Sequence, residues 1–167
     1  MTANAAEITL DDFSPTSAER WSYVADGVMG GVSKGAAEIG SDAGEAYIRL
    51  TGQVSTENNG GFIQVRRRFD KGLPENAKAL KLRVRGNGET YYVFLRSRFA
   101  TRPWHSYRRS FQANTDWSEI TLPISSFEAS HSSLPERIDA VDVTGIGLVA
   151  YGADFEADLS VSTIVLE

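Results

Sequence analysis

No stretch of the chain repeats apolar residues at the three- and four-residue spacing that one helix face requires. Short segments instead alternate apolar and polar side chains and end at Gly, Pro, Asn or Asp. Successive side chains of a strand point to opposite sides, so this alternation buries one face of a sheet, and many such strands pack as a sandwich or jelly roll. The pattern predicts an all-β chain with strands at residues 8–13, 21–24, 28–33, 46–50, 61–69, 79–85, 90–97, 104–112, 118–122, 145–149 and 155–166.

Alternation also assigns faces. Tyr91, Val93 and Leu95 fall on one side of segment 90–97 and Tyr92, Phe94 and Arg96 on the other; in segment 79–85, Leu82 and Val84 oppose Lys81, Arg83 and Arg85. Between the two segments, Asn87-Gly88 accepts the positive φ angles of a type I′ turn and predicts a hairpin. Pairing across it would set Arg83 and Arg85 beside Tyr92 and Arg96. Arg66 and Arg68 share a face opposite Val65 and Arg67, with Arg98 and Arg108 as candidate neighbours. The outcome is an arginine and tyrosine sheet face, which is either a solvated outer surface or a contact surface.

At 167 residues and 41% hydrophobic, the chain is long enough to bury about 70% of its unfolded surface, and residues 1–167 read as one domain. The expected core is Phe13, Trp21, Phe62, Val84, Val93, Leu95, Trp117, Ile120, Phe127, Ile146, Leu148 and Ile164. Residues 124–127 have room for one helical turn, and the Ser, Pro and acid of 128–142 read as a surface excursion. Apolar runs such as 91–95 are about a quarter of what crossing a bilayer takes. The first twelve residues carry Glu7, Asp11 and Asp12 and no basic or apolar leader pattern, which predicts a cytoplasmic protein.

The net charge of -5 conceals a sorted distribution. Residues 66–109 hold thirteen Lys and Arg, ten of them Arg, against Asp70, Glu75 and Glu89; that is +10, and the rest of the chain carries -15. Either the basic middle pairs with the acidic flanks, or it forms a basic face for an anionic partner. With no cysteine, disulfide scaffolds, zinc knuckles and thiol chemistry are excluded. His105 and His131 lie 26 positions apart without helical periodicity, so no metal site is assigned, and no cofactor is implied.

Two stretches are unusual. In Asp26-Gly27-Val28-Met29-Gly30-Gly31-Val32-Ser33, glycines interrupt a strand-like run, which marks a bulge, a turn or a close backbone approach. Its spacing is neither that of a phosphate loop nor of a dinucleotide fingerprint. Here Asp26 and Ser33 are expected to anchor the segment to neighbouring loops. The second stretch runs from Gly52 to Phe62 and sets Glu57, Asn58 and Asn59 before a strand, as an Asx turn or as a polar loop offered to a ligand.

Together with Trp21, the Arg83-Val84-Arg85-Gly86-Asn87-Gly88 run followed by Tyr91, and Trp117 followed by Leu122-Pro123 and Phe127, these stretches resemble the CIA30 family over about residues 13–166. The family is related to complex I intermediate-associated protein 30. The resemblance implies a jelly-roll β-sandwich of the galactose-binding type, similar to carbohydrate-binding modules. It also implies a non-catalytic, chaperone-like binder of protein partners, namely respiratory complex I subunits or assembly intermediates.

Other readings of the residues stay open. An enzyme would need tuned carboxylates, for which Asp26 and Glu57 are candidates, but the Gly-x-Ser-x-Gly motif is absent. A module for carbohydrate or another small polar or anionic ligand would use Trp104, Tyr107, Tyr92 and Tyr23. A calcium site would draw on Asp11, Asp12 and Asp158. Nucleic acid suits the basic middle but not the acidic flanks. The binding residues are expected to be Asp26 and Ser33, Glu57, Asn58 and Asn59, and Arg85, Tyr92, Arg96 and Trp104.

Overall fold

A computed structural model describes residues 7–167. Two antiparallel sheets face each other across one apolar core. The strands are β1 (Ile8–Asp11), β2 (Ser22–Ala25), β3 (Lys34–Asp42), β4 (Glu45–Val54), β5 (Phe62–Arg68), β6 (Ala79–Arg85), β7 (Thr90–Ser97), β8 (Tyr107–Gln112), β9 (Ser118–Pro123), β10 (Glu128–Ala129), β11 (Val143–Tyr151) and β12 (Phe155–Leu166). The first sheet runs β3-β4-β12-β6-β9, with β1 pairing the far end of β12 beyond the reach of β4; the second runs β10-β8-β7-β11-β5-β2. No helix among the described residues is long and apolar enough to cross a membrane.

The fold class is the one that the alternation requires. Leu80, Leu82 and Val84 of β6 and Leu159, Val161 and Ile164 of β12 meet Ile63, Val65, Tyr91, Val93, Leu95, Ile146 and Leu148 from the opposite sheet, all almost wholly buried. Each such side chain contributes about 1.5–3 kcal/mol relative to exposure. Three residues of the expected core lie elsewhere. Phe62 and Trp117 are half-buried on outer faces, and Ile120 only borders the core. Residues 128–142 are not simply a surface excursion: between β10 and a 3₁₀ turn at Ala140–Asp142 the chain is irregular, yet Leu134, Ile138 and Ala140 are buried, and Tyr107 Oη donates to the Pro135 carbonyl at 2.5 Å.

The expected hairpin is absent. β6 belongs to the first sheet and β7 to the second, so residues 86–89 form an arch between sheets. Only Gly88 has positive φ, 85°, and Asn87 does not, which excludes a type I′ turn. Asn87 instead donates to the Glu156 carbonyl at 2.8 Å and accepts from Tyr91 Oη at 2.6 Å. The arch satisfies both apolar rows at once, since Leu82 and Val84 then face Tyr91 and Val93 across the core. The true tight hairpin joins β3 to β4 at Ala43-Gly44, with φ of 51° and 82°. β3 itself was not anticipated. The 28–33 segment is not a strand either: its first two residues end a 3₁₀ turn at Asp26–Met29, which Gly30 caps at φ 87°, and residues 31–33 are irregular.

Candidate functional site

The outer face of the second sheet is built on its middle strand. β11 turns Ile146 and Leu148 into the core, so Gly145 and Gly147 face outward and leave a floor without side chains. In register, Gly145 lies between Arg68 of β5 and Arg96 of β7. Gly147 lies between Arg66 and Phe94, and Arg108 of β8 extends that row. Neighbouring strands are about 4.8 Å apart, so the flanking arginines can lean over the bare floor from both sides. The result is a groove of about 590 Å³, lined also by Phe62, Gln64, Trp104 and Tyr151.

Its walls are held by polar and aromatic contacts. The Arg108 guanidinium stacks 4.5 Å from the Phe94 ring centroid and 5.2 Å from that of Tyr151, and donates to Ser106 Oγ at 2.9 Å and Tyr151 Oη at 3.2 Å. Tyr92 and Phe94 meet Tyr151 edge to face, at 5.1 and 5.7 Å. Arg96 donates to the carbonyls of Pro103 at 2.9 Å and Arg102 at 3.4 Å, which fastens the loop bearing Trp104. Trp104 is 52% exposed at the rim. Beneath it, buried His105 lies with its ring 4.8 Å from that of His131, and burial, then His131 and two arginines, lower its pKa.

The two outer faces differ in charge. On the first sheet the arginines are matched: Arg83 to Glu45 at 2.6 Å, Arg49 to Asp158 at 2.8 Å, and Arg85 to Asp42 at 3.3 Å. Arg85 also lies 4.6 Å from the Trp117 ring centroid. In the groove, no carboxylate among the described residues pairs with Arg66, Arg68, Arg96 or Arg108. Burial and then Arg68 push Arg66 below the usual arginine range; burial, then Arg68 and Arg66, do the same to Arg96. Part of the basic middle is therefore paired within the fold, and four of its arginines stand together in the groove with no paired carboxylate among the described residues.

The anticipated site residues are dispersed by this topology. Arg85 lies on the first sheet and Tyr92 and Arg96 on the second, so no single face joins them; the arch sends their outward rows to opposite sides of the molecule. Arg98 pairs with Asp142 instead of joining Arg66 and Arg68. Of the aromatic candidates, Tyr107 is wholly buried and Tyr23 packs against the core, while Trp104 and Tyr92 stay on the groove face. Glu57 and Asn58 are exposed, Asn58 with φ 57°, and the next two residues, Gly60 and Gly61, line the groove. The side chain of Asn59 lies outside the described residues.

Asp26 is 0% exposed. Its carboxylate accepts from Ser33 Oγ at 2.5 Å and from the amides of Gly61 at 2.6 Å, Ser33 at 3.0 Å and Phe62 at 3.3 Å. Ser33 Oγ in turn accepts from the Ser55 amide at 2.8 Å. These bonds staple the glycine-rich loop to the 55–61 loop and leave Asp26 no face for a substrate. The calcium candidates do not converge, because Asp11 is bound to Trp21, Ser17 and Arg67 and Asp158 to Arg49. Among the described residues, no three acids or histidines gather as a metal site.

The floor glycines, Gln64 and Tyr151 escaped sequence reasoning. The available signal was Gly145-Ile146-Gly147, since glycines at alternate strand positions mark a close approach on one face.

The sequence model of complex I intermediate-associated protein 30 (CIA30) matches residues 11–161. No curated protein matches the chain. Among solved structures, the family 11 carbohydrate-binding module of a cellulosomal cellulase of Clostridium thermocellum superposes with TM-score 0.77 at 16% identity, over 98% of this chain and 95% of that one. The Clostridium thermocellum family 11 module in complex with a β-1,3-1,4-mixed-linked tetrasaccharide gives 0.75 at 17% identity, over 96% and 94%. A family 30 carbohydrate-binding module gives 0.68 at 12%, over 98% and 88%. At these identities the likeness is one of fold.

Proposed function

The chain belongs to the CIA30 family, and from that premise we propose that it is a non-catalytic, chaperone-like binding protein for subunits or intermediates in the assembly of respiratory complex I. The observation that carries this reading is the contrast between the faces. A surface arginine normally finds a carboxylate or water; a cluster of guanidiniums partly withdrawn from water, beside stacked aromatics, favours an acidic partner. Such charge steers association and makes it salt-sensitive, the Debye length being about 8 Å at physiological ionic strength.

The test is affinity capture from the native cell with identification of the captured subunits. Complex I subunits should co-purify with the unaltered protein and be lost with Arg68→Glu and Arg96→Glu, whereas Arg83→Glu on the opposite face leaves capture intact. Capture that is indifferent to the groove charges would refute the reading. A second reading, a carbohydrate-binding module, is favoured by the exposed Trp104 at the rim and by the tetrasaccharide in complex with one structural neighbour. Binding on a sugar array that is lost with Trp104→Ala, without any protein partner, would replace the first.

A further inference from the structure

Resting on that reading, we propose that the groove receives an extended acidic segment of the partner, with carboxylates at alternate positions, laid over Gly145 and Gly147. In an extended chain, residues i and i+2 project to one side about 6.8 Å apart. Arg66 and Arg68 are themselves two apart on β5, so this pair has the same pitch as the side chains of a segment lying along the strands. Arg68 and Arg96 flank one carboxylate from both sides. Arg66 takes the next, with Arg108 adding field from across Phe94.

The bare floor has a consequence for what can lie there. Between these rows β11 contributes only glycines, and over Gly147 lies just the flexible end of Gln64, so a main chain can approach once Gln64 swings aside, where side chains on β11 would hold it off. The volume, about 590 Å³, suits a few residues and not a folded surface. The two central groups have also been left for a ligand. Arg66 and Arg68 make no side-chain hydrogen bond among the described residues, while Arg96 is oriented by the carbonyls of residues 102 and 103 without being neutralised. Charge-assisted bonds to such guanidiniums are the strong ones.

Calorimetric titration of the full chain with two synthetic nonapeptides of identical composition tests this. One carries glutamates at alternate positions and the other carries them as a contiguous block. The alternating peptide should bind at least about tenfold tighter, a difference of about 1.4 kcal/mol, and Arg68→Gln should erase the preference. Gly147→Val should erase it as well. A Cβ there first meets the flexible Gln64 Oε1 at 2.8 Å and then Val149 at 3.5 Å, so Gly147→Ala, which adds that Cβ alone, should weaken the preference while the melting temperature holds, and it separates a blocked floor from a loss of folding in the valine variant. Equal affinity for both peptides, binding of neither, or preferential binding of an oligouronate or inorganic phosphate would overturn the proposal. If the peptides fail while cellular capture still depends on Arg68 and Arg96, the segment is wrong and the assembly reading stands; if both fail, both fall.

Discussion

At the scale of the residue, Asp26 explains why glycines crowd around it. A Cβ at Gly31 would overlap the Asp26 carboxyl carbon, and one at Gly60 its Oδ2, whereas a Cβ at Gly30 meets nothing within 4 Å and is opposed only by its φ of 87°. Gly31→Ala should therefore cost more stability than Gly30→Ala, for which about 1 kcal/mol of backbone strain is expected. The reverse order in thermal melts would contradict the staple. Asp26→Ala strands the Gly61 and Ser33 amides and should cost about 3 kcal/mol. Burial raises the Asp26 carboxyl, but its hydrogen bonds, Ser33 foremost, outweigh that and hold it below 3.8; Asp11 is lowered in the same way. A carboxylate with a lowered folded pKa contributes stability that is complete above the unfolded value and lost as pH falls through the folded one. Denaturant midpoints should thus decline below about pH 4, with a shallower decline in Asp26→Asn than in the unaltered protein.

At the scale of the element, the Asn87 arch and the Ala43 hairpin make opposite predictions from similar sequence. Were residues 86–89 a type I′ turn, Asn87→Gly would be nearly neutral. In the arch it removes the bonds to Glu156 and Tyr91, whose hydroxyl burial has already pushed up to about 12. A loss of about 1–2 kcal/mol is expected, read as a lower urea midpoint. A midpoint equal to that of the unaltered chain would restore the hairpin. Ala43 bears a Cβ at φ 51°, where Asn is better tolerated. Ala43→Asn should raise stability by about 0.5–1 kcal/mol, or roughly 1–4 °C in melting temperature for a chain of this size.

At the scale of the whole molecule, the fold sorts a basic middle segment between two faces. The arginines of that segment that reach the first sheet meet acids brought from the flank, Glu45 and Asp42. Those that reach the groove repel one another. Arg66→Gln should leave the melting temperature unchanged or higher, because the charged form of that group is disfavoured in the folded state, while Arg83→Gln removes an ion pair and lowers it slightly. A clear loss of stability in Arg66→Gln would mean that the cluster is held by the fold itself and is no binding surface.

The sequence by itself determined the sheet class and most strand positions, 79–85, 90–97 and 155–166 coinciding with β6, β7 and β12, because alternation is a local property of adjacent residues. It also set which residues of β6 and β7 point outward, though not those of β5 or β9, where Phe62 and Ile120 were expected in the core. Tertiary structure alone decided which outward rows share a face. That choice depends on whether a connection turns within a sheet or crosses between sheets, and Asn87-Gly88 serves either path. Burial of Leu82 and Val84 against Tyr91 and Val93 selects the crossing, parts Arg85 from Tyr92 and Arg96, and brings Arg66, Arg68, Arg96 and Arg108 together over two glycines.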